Sequence, residues 1–253
     1  MTDSAKQPAV ETYPQIDVLA VGAHPDDVEI ACGGTLAQLA QQGYTVGIVD
    51  LTNGEPTPNC PDPAVRLEEA QRAAERLGVH RRTVLELPNR RLFDSYEARV
   101  ALAIEIRKYR PRLVLGFGGR TPMASPDHWQ AMQITDAGIF YSRLTKWDAT
   151  FEGLPVHTVE AQLYYTFNLH SLEIPSSGGH FVADISDTLE AKMEAIGCYK
   201  TQFPPAKAGI FQRIRSAAQY FGEVAGFSAG ELFLTPKTLG SHNIMQTVFP
   251  DLP

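Results

Sequence analysis

The sequence predicts an α/β fold with a mostly parallel sheet and helices on both faces. Short apolar runs alternate with longer amphipathic segments from residue 16 onward. Such alternation favours parallel strands, because parallel neighbours are joined by a crossover that is usually a helix. The 253 residues are 43% hydrophobic and 20% charged, which is typical of a globular protein with a sizeable core. Ligands in this architecture bind beyond the C-terminal ends of the strands.

The predicted strands are short apolar runs that end at glycine or at a polar turn. Ile16–Gly22 is the first, and Thr45–Leu51 is a second buried run followed by a turn-rich stretch, 53–63. Val84–Leu87 is a shorter third strand, and Arg112–Phe117 runs into two glycines. Two later runs, 161–167 and 181–185, are also predicted to be strands.

The predicted helices carry one apolar face each. The first, 35–42, has Leu36, Leu39 and Ala40 on that face and ends at Gly43. The second has an apolar stripe at positions 67, 70, 74 and 77. The predicted helices in chain order are 35–42, 64–77, 96–109, 130–144, 189–202 and 210–225.

The chain is expected to form one domain over residues 16–236, ending in a C-terminal extension of strand and helix. Residues 1–15 are predicted to be a flexible N-terminal segment, and 237–253 a C-terminal tail. The segment Leu169–Gly179 contains a proline, two serines and two glycines, so it is predicted to form a mobile rim of the site.

Charge and cysteine content limit the possible partners. There are 22 Lys and Arg against 29 Asp and Glu, a net charge of -7, so nucleic acid and anionic lipid are not expected to bind. The cysteines, Cys32, Cys60 and Cys198, form no C-x-x-C pair and fit a reducing compartment. Residues 1–15 lack the pattern of a secretory signal, and no apolar run is long enough to span a membrane. A cytoplasmic protein is therefore predicted.

A histidine and two carboxylates follow the first predicted strand directly. His24 and Asp27 lie three residues apart on a turn that contains Pro25, so both can face one divalent cation. Asp26 would then remain free for proton transfer. The alternative is that an aspartate caps the next helix and His24 is an ordinary loop histidine.

A second cluster, Ser125-Pro126-Asp127-His128, follows the fourth strand and should reach the same edge of the sheet. His128 would be a third ligand. Two histidines and one carboxylate with an open fourth position make a hydrolytic zinc site, and the same set also suits iron(II). Taken alone, His128 also fits a structural histidine at the start of a helix.

These motifs resemble the PIG-L (LmbE-like) family of zinc-dependent N-deacetylases. The segments that carry the resemblance are 22–30, 32–36, 50–55 and 126–128. Further segments resemble the branch that deacetylates N-acetylglucosaminyl malate in bacillithiol synthesis: 66–70, 109–111, 182–186, 192–196 and 199–203. The similarity extends over about residues 16 to 235.

The resemblance implies a Rossmann-like fold in which His24, Asp27 and His128 bind zinc. It also implies that Asp26 is the general base and that Tyr199 approaches the site as a donor to the oxyanion. Tyr199 fits equally well as a buried helix aromatic with its hydroxyl satisfied. Relatives form trimers and hexamers, so a homo-oligomer is expected.

The chain departs from the family pattern at Ser125, where active members carry a histidine. That histidine, held by the following aspartate, helps to protonate the leaving amine. A serine hydroxyl donates a hydrogen bond but is not a cation near neutral pH. Asp127 would lose its usual partner, and Asp26 would serve as both base and acid.

A second departure lies beside the substrate. The family segment Thr-Arg-Gly-Glu is here Thr52-Asn53-Gly54-Glu55, so Asn53 stands in the position of an arginine and Glu55 is retained. Arg120, or Arg90 or Arg91, is then the candidate to bind a carboxylate of the substrate. Each of these arginines also fits a solvated surface charge.

The sequence therefore predicts a metal-dependent hydrolase that removes acetyl from an N-acetylglucosamine-type small glycoside. Two alternatives stay open at this point. One is an amidase of thiol or sugar conjugates, and the other is a metal-bearing sugar-binding protein whose turnover is weakened at Ser125. An iron oxygenase is disfavoured by the α/β pattern and by Asp26.

Overall fold

The protein is described from a computed structural model that covers residues 13–167, 179–243 and 245. These residues contain a seven-stranded sheet in the order β3-β2-β1-β4-β5-β7-β6. The first five of these are mutually parallel, and β7 runs antiparallel to both β5 and β6. The strands are β1 Val18–Gly22, β2 Val46–Asp50, β3 Arg81–Val84, β4 Leu113–Phe117, β5 Ala161–Tyr165, β6 Gly179–Asp184 and β7 Gly230–Thr235.

The predicted α/β class with helical layers is confirmed. The helices are α1 Asp27–Gln41, α2 Pro63–Arg76, α3 Tyr96–Tyr109, α4 Asp127–Ser142, α5 Leu189–Ile196 and α6 Gly209–Ala225, and Pro205–Lys207 is a short 3-10 helix. Helix α3 packs against α4, whereas α5 packs against α1 and α2. Every residue of β1 and β2 is buried, as expected for parallel strands covered on both sides.

Several element boundaries differ from the sequence predictions. Strand β3 lies at 81–84 rather than 84–87. Its residues are largely polar, and the guanidinium of Arg82 points inward to buried carboxylates, so the segment lacks the apolar pattern by which a buried strand is recognised in a sequence. Helix α4 begins three residues earlier than predicted, and α5 ends at Ile196 instead of reaching Gln202. The sequence did not indicate the bounds of β7. Residues 169–178 of the predicted rim Leu169–Gly179, and most of the predicted N-terminal segment, lie outside the described residues.

Helix α1 starts eight residues before its predicted start and contains a break. Cys32 has the non-helical backbone angle φ -141° inside the helix. Just after it, the amides of Gly34 and Thr35 donate to the Glu231 carboxylate from β7 at 3.0 and 2.8 Å. Lys192 of α5 pairs with the same carboxylate at 2.5 Å. Glu231 thus caps the second half of α1. The break lets the first half of the helix begin at the edge of the sheet, at Asp27.

Helix α6 lies unusually close to β7. A Cβ at Gly222 would stand 2.5 Å from the Ala229 backbone, so only glycine permits this approach. The close approach brings the apolar face of α6 over the end of the sheet. Among the described residues, no helix combines the length and the apolar character that crossing a membrane requires.

Candidate metal centre

The candidate site lies where β1 and β4 end. Strand β1 stops at Gly22, and a four-residue turn leads into α1 at Asp27. Strand β4 stops at Phe117, and the chain returns to the same edge at Asp127, the first residue of α4. The parallel pairing of β1 with β4 therefore brings two segments about one hundred residues apart in the chain into one place.

The turn before α1 holds Asp26 in a conformation that L-residues rarely adopt. Its φ is 119°, and such a backbone costs on the order of 1 to 3 kcal/mol unless its surroundings impose it. The Asp27 carboxylate accepts the amides of Ala23 and His24 at 3.1 and 2.8 Å. Arg66 of α2 donates to the Pro25 carbonyl at 2.6 Å. These contacts fix the turn and with it the direction of the Asp26 side chain.

His24, Asp27 and His128 converge on one point. Each offers a ligand atom within 4.8 Å of the others, and all three residues are buried. His24 Nδ1 lies 3.3 Å from one Asp27 oxygen, and His128 Nε2 lies 3.3 Å from the other. Ligand atoms on a tetrahedral zinc are about 3.4 Å apart for bonds of about 2.1 Å. The spacing and the donor types therefore fit zinc, and they also fit iron(II).

The outward nitrogens of both imidazoles have their own partners. His24 Nε2 donates to Asp127 Oδ2 at 3.1 Å, and His128 Nδ1 lies 2.8 Å from the Thr121 hydroxyl. Asp127 is held in turn by the Arg90 amide at 2.6 Å. A partner on the far nitrogen fixes the orientation of a ligating histidine and leaves the near nitrogen for the metal. Asp127 therefore has a partner despite Ser125, namely His24.

The charges at this point favour a cation. Burial works to raise the pKa of Asp27, but His128 and His24 outweigh it and hold that pKa far below its usual range. Burial likewise works to lower the pKa of His24, and the carboxylates of Asp27 and Asp127 outweigh it and raise that pKa to about 10. The negative charge of these carboxylates is therefore stabilised by a positive charge placed between them, and a divalent ion would supply that charge.

Asp26 stands beside the three ligands without joining them. Burial raises its pKa to about 7, against the opposing pull of the Arg66 guanidinium, whose Nη2 lies 3.3 Å from Asp26 Oδ2. A carboxyl group with a pKa near neutrality can both take up and release a proton at working pH. Arg66 orients this carboxylate.

These side chains form the floor of a pocket of about 420 Å³, a size suited to a small sugar. The residues that line it include several that the sequence did not indicate. Besides the ligands and Asp26, the lining residues come from α1, α2, the start of α6 and the loops between elements: Ile30, Gly54, Thr57, Arg66, Asn89, Arg90, Ala124, Ser125, Phe167, Gln202, Phe203, Lys207 and Ile210. Gln202 lies in the segment 199–203 that carries the resemblance, which assigns it no role, and Lys207 lies outside every such segment.

Ser125 lies in the pocket, whereas Asn53, Glu55 and Arg120 do not line it. Asn53 accepts the Glu55 amide at 2.9 Å, and the Glu55 carboxylate lies 3.4 Å from Arg66 Nη1, so Glu55 helps to hold Arg66. Arg120 is exposed, with its guanidinium 5.0 Å from the Trp129 ring centroid. Arg90 is the one of the three candidate arginines that lines the pocket.

Tyr199 also lies away from the pocket, and its role as a donor to the oxyanion stays a prediction. Its side chain is fully buried, and its hydroxyl donates to Glu29 at 2.6 Å. The second sequence interpretation, a buried helix aromatic with a satisfied hydroxyl, describes it. The residue follows α5, which packs on α1 and α2. This packing places Tyr199 in a buried cluster of side chains and not among the residues that line the pocket.

Comparison with known proteins agrees with this geometry. The family model described as PIG-L, GlcNAc-PI de-N-acetylase, matches residues 19–138. The chain is 30% identical over 227 residues to the diacetylchitobiose deacetylase of Thermococcus kodakarensis, covering 85% of this chain and 80% of that protein. The chain belongs to the PIG-L family.

Two other PIG-L comparisons extend over most of the chain. It is 26% identical over 230 residues to the 1D-myo-inositol 2-acetamido-2-deoxy-alpha-D-glucopyranoside deacetylase of Actinosynnema mirum, covering 73% of this chain and 80% of that protein. The crystal structure of the conserved protein TT1542 from Thermus thermophilus superimposes with a TM-score of 0.77 at 31% identity, covering 90% of this chain and 97% of that one. The likeness to this structure therefore covers most of the chain and is not confined to the matched residues 19–138.

Proposed function

We propose that this chain is a metal-dependent hydrolase that removes the N-acetyl group from an N-acetylglucosamine-type small glycoside and releases acetate. The observation that carries the proposal is the convergence of His24, Asp27 and His128, with Asp26 beside them on the floor of one pocket. A purely metal-binding site has no need of a fourth residue whose carboxylate is not a ligand. The relatives named for deacetylation of N-acetylated sugars support the same class of reaction.

The three ligand residues would hold zinc or iron(II). A bound zinc ion would act as a Lewis acid and lower the pKa of water toward neutrality. Asp127 would keep His24 in the tautomer that binds, and Thr121 would hold the ring of His128. Arg66 would hold the carboxylate of Asp26 toward the attacking water.

Asp26 would move the proton. Its carboxylate takes a proton from the water that attacks the acetamide carbonyl, and it returns that proton to the nitrogen as the carbon–nitrogen bond breaks. Ser125 lines the pocket with a hydroxyl that can donate a hydrogen bond but cannot supply a cationic acid. One carboxyl group therefore serves as base and then as acid.

The finer substrate is part of the proposal. N-acetylglucosaminyl malate follows from the sequence resemblance, whereas diacetylchitobiose and the inositol glycoside follow from the names of the relatives. Arg90 and Lys207 both line the pocket and would place positive charge near a carboxylate on the sugar's substituent. The trimer or hexamer expected by resemblance stays a prediction.

Acetate release tests the function. Protein reconstituted with zinc or iron(II) is incubated with the malate glycoside, diacetylchitobiose, the inositol glycoside and N-acetylglucosamine. We expect Asp26→Ala to lower the rate by about 10²- to 10⁴-fold while the metal content measured by mass spectrometry is unchanged. We expect Ser125→His to raise the rate, because it restores a cationic acid. Stoichiometric metal with no acetate from any of the substrates would contradict the proposal and favour the binding-protein alternative.

A further inference from the structure

A second cavity lies directly behind the catalytic pocket, between α1, α6 and the end of the sheet. We call it the rear cavity. It is walled mainly by aliphatic and aromatic side chains: Ile30, Ala31, Thr166, Phe167, Lys192, Ile214, Ala217, Ala218, Phe221, Gly230, Glu231 and Leu232. Its volume is about 40 Å³, and since one water needs at least about 10 to 15 Å³, it has room for about three water-sized groups.

The rear cavity adjoins the catalytic pocket at a partition formed by two side chains. Ile30 and Phe167 line both the cavity and the pocket. Ile30 lies one turn of α1 beyond Asp26, and its amide donates to the Asp26 carbonyl at 3.0 Å. The Phe167 ring centroid lies 5.1 Å from that of His128. The partition is therefore apolar, and it stands next to both the proton carrier and a metal ligand.

The polar groups of the rear cavity are already satisfied. Lys192 pairs with Glu231, and the Glu231 carboxylate accepts two backbone amides and the Thr35 hydroxyl. The Thr166 hydroxyl contacts the Leu232 carbonyl at 3.4 Å. A ligand in this space would gain from burial of its apolar surface and would find few groups to bond. An alkyl chain is the chemistry that fits.

The polar and apolar residues of the catalytic pocket favour different ends of an amide substrate, the sugar and the acyl group. Asn89, Arg90, Gln202 and Lys207 line the catalytic pocket and offer polar groups to a sugar's hydroxyls. Ile30 and Phe167 form the wall on the side of the rear cavity. An amide carbonyl placed over the three metal ligands, with its sugar toward the polar side, directs its acyl carbons toward Ile30 and Phe167.

We infer that the rear cavity receives the acyl chain of the scissile amide, so that the enzyme cleaves N-acyl groups longer than acetyl by about two or three carbons. This inference rests on the proposed function and names the acyl half of its substrate. Hydrolysis of the longer amide consumes one water and gives the free amine and a short-chain carboxylic acid, so the chemistry at Asp26 is unchanged.

A chain-length series tests the inference. The rates kcat/KM are measured for N-acetyl-, N-propionyl-, N-butyryl- and N-hexanoylglucosamine with the zinc-loaded protein. We expect the butyryl amide to be cleaved at least as well as the acetyl amide and the hexanoyl amide to be rejected. The variant Ala218→Leu fills the rear cavity, and a methylene in an apolar pocket changes kcat/KM by about 10- to 200-fold. We therefore expect it to lower the butyryl rate by at least about 10-fold and leave the acetyl rate unchanged.

The matched control places the same new side chain on the same helix. Gln219→Leu introduces leucine at the next residue, which is exposed, and should leave the chain-length profile as in the wild type. Ile30→Ala is a second variant, and it does not fill the rear cavity. It shortens one of the two side chains of the partition and so widens the passage between the catalytic pocket and the rear cavity. It should raise the ratio of butyryl to acetyl rates. Wild-type protein that cleaves acetyl but not propionyl or butyryl amides would overturn the inference, as would an equal effect of Ala218→Leu on all amides.

Binding separates this inference from the proposed function. Calorimetric titration of the Asp26→Asn variant with N-acetyl- and N-butyrylglucosamine measures affinity without turnover. We expect tighter binding of the butyryl amide and loss of that difference when Ala218→Leu is added. Absence of hydrolysis of every amide would contradict the proposed function, whereas equal affinities for the two amides would contradict the acyl site.

Discussion

The metal centre and a second group of buried charges beneath it use the same kinds of residue for different ends. We call the second group the charge cluster: Glu29 of α1, Asp50 of β2, Arg82 of β3 and Tyr199. Arg82 bonds both oxygens of Asp50 at 2.7 and 3.0 Å and one oxygen of Glu29 at 2.5 Å, and Tyr199 donates to the same Glu29 oxygen at 2.6 Å. Both groups are buried, and both contain carboxylates.

The two groups differ in what their carboxylate oxygens and imidazole nitrogens face. In the charge cluster the carboxylates face a guanidinium and a hydroxyl of the protein itself, and the side chains are sealed from solvent. In the metal centre the carboxylate of Asp27 and the two imidazoles face a common point that opens into the pocket. Buried charge alone therefore does not mark a functional site. Convergent ligand atoms with access to a pocket do.

The largest effect on the free energy of unfolding is expected from a substitution that disrupts the charge cluster and does not touch the metal centre. Arg82→Met leaves Glu29 and Asp50 without their cation, and breaking a buried pair in this way costs about 3 to 5 kcal/mol. We expect the free energy of unfolding in urea to fall by that amount while protein that remains folded binds zinc with unchanged stoichiometry. Arg72→Met is the control, because Arg72 is an exposed residue of α2 whose pair with Glu68 at 3.8 Å lies at the surface. Equal destabilisation by the two variants would show that the cluster is not a structural support.

An intermediate effect is expected at the metal centre with little change in stability. Asp127→Asn weakens the hold on His24, and loss of such a partner typically lowers metal affinity by about 10- to 100-fold. Competition with a chelator measures this affinity. Asp136→Asn is the matched control, since Asp136 is a hydrogen-bonded carboxylate on the same helix, bound to Gln162 and Tyr164 instead of a ligand. Unchanged zinc affinity in Asp127→Asn would argue against a role for Asp127 in holding His24.

The smallest effect sharpens the assignment of Tyr199 to the charge cluster. Tyr199→Phe removes a hydrogen bond to a buried carboxylate, and we expect it to lower the free energy of unfolding by about 1.5 kcal/mol with kcat unchanged. Tyr165→Phe loses an equally buried hydroxyl that donates to the neutral Val21 carbonyl at 2.7 Å, so a smaller loss is expected there. A fall in kcat specific to Tyr199→Phe would return this tyrosine to the catalytic group.

The parts of the fold that the sequence predicts well are those in which one short segment carries its own signal. Helix α3 was predicted with its observed bounds, since Ser95 caps it and the apolar pattern stops at Tyr109. Strands β1 and β2 are buried on both faces and therefore read as continuous apolar runs. The convergence of His24, Asp27 and His128 followed from strand ends that share one edge.

The parts that the sequence could not give depend on contacts between distant segments. The start of α1 was missed because its break at Cys32 is stabilised by Glu231, which is far away in the chain. Arg66 reaches the site across forty-one residues to bond Pro25, and no local pattern predicts that bond. The contact of Tyr199 with Glu29 likewise depends on the packing of α5 against α1 and α2, which no local pattern predicts.

The cap that Glu231 provides to α1 has a consequence for how the protein is made. Gly34 and Glu231 are 197 residues apart, so both ligands of the first loop leave the ribosome long before the strand that completes their helix has been synthesised. For about the first half of that interval the nascent chain holds His24 and Asp27 without His128, and for all of it the cap is missing. Because contacts of such long range form late in folding, we expect tight metal uptake to be a post-translational event of the finished chain rather than a nucleus around which it folds.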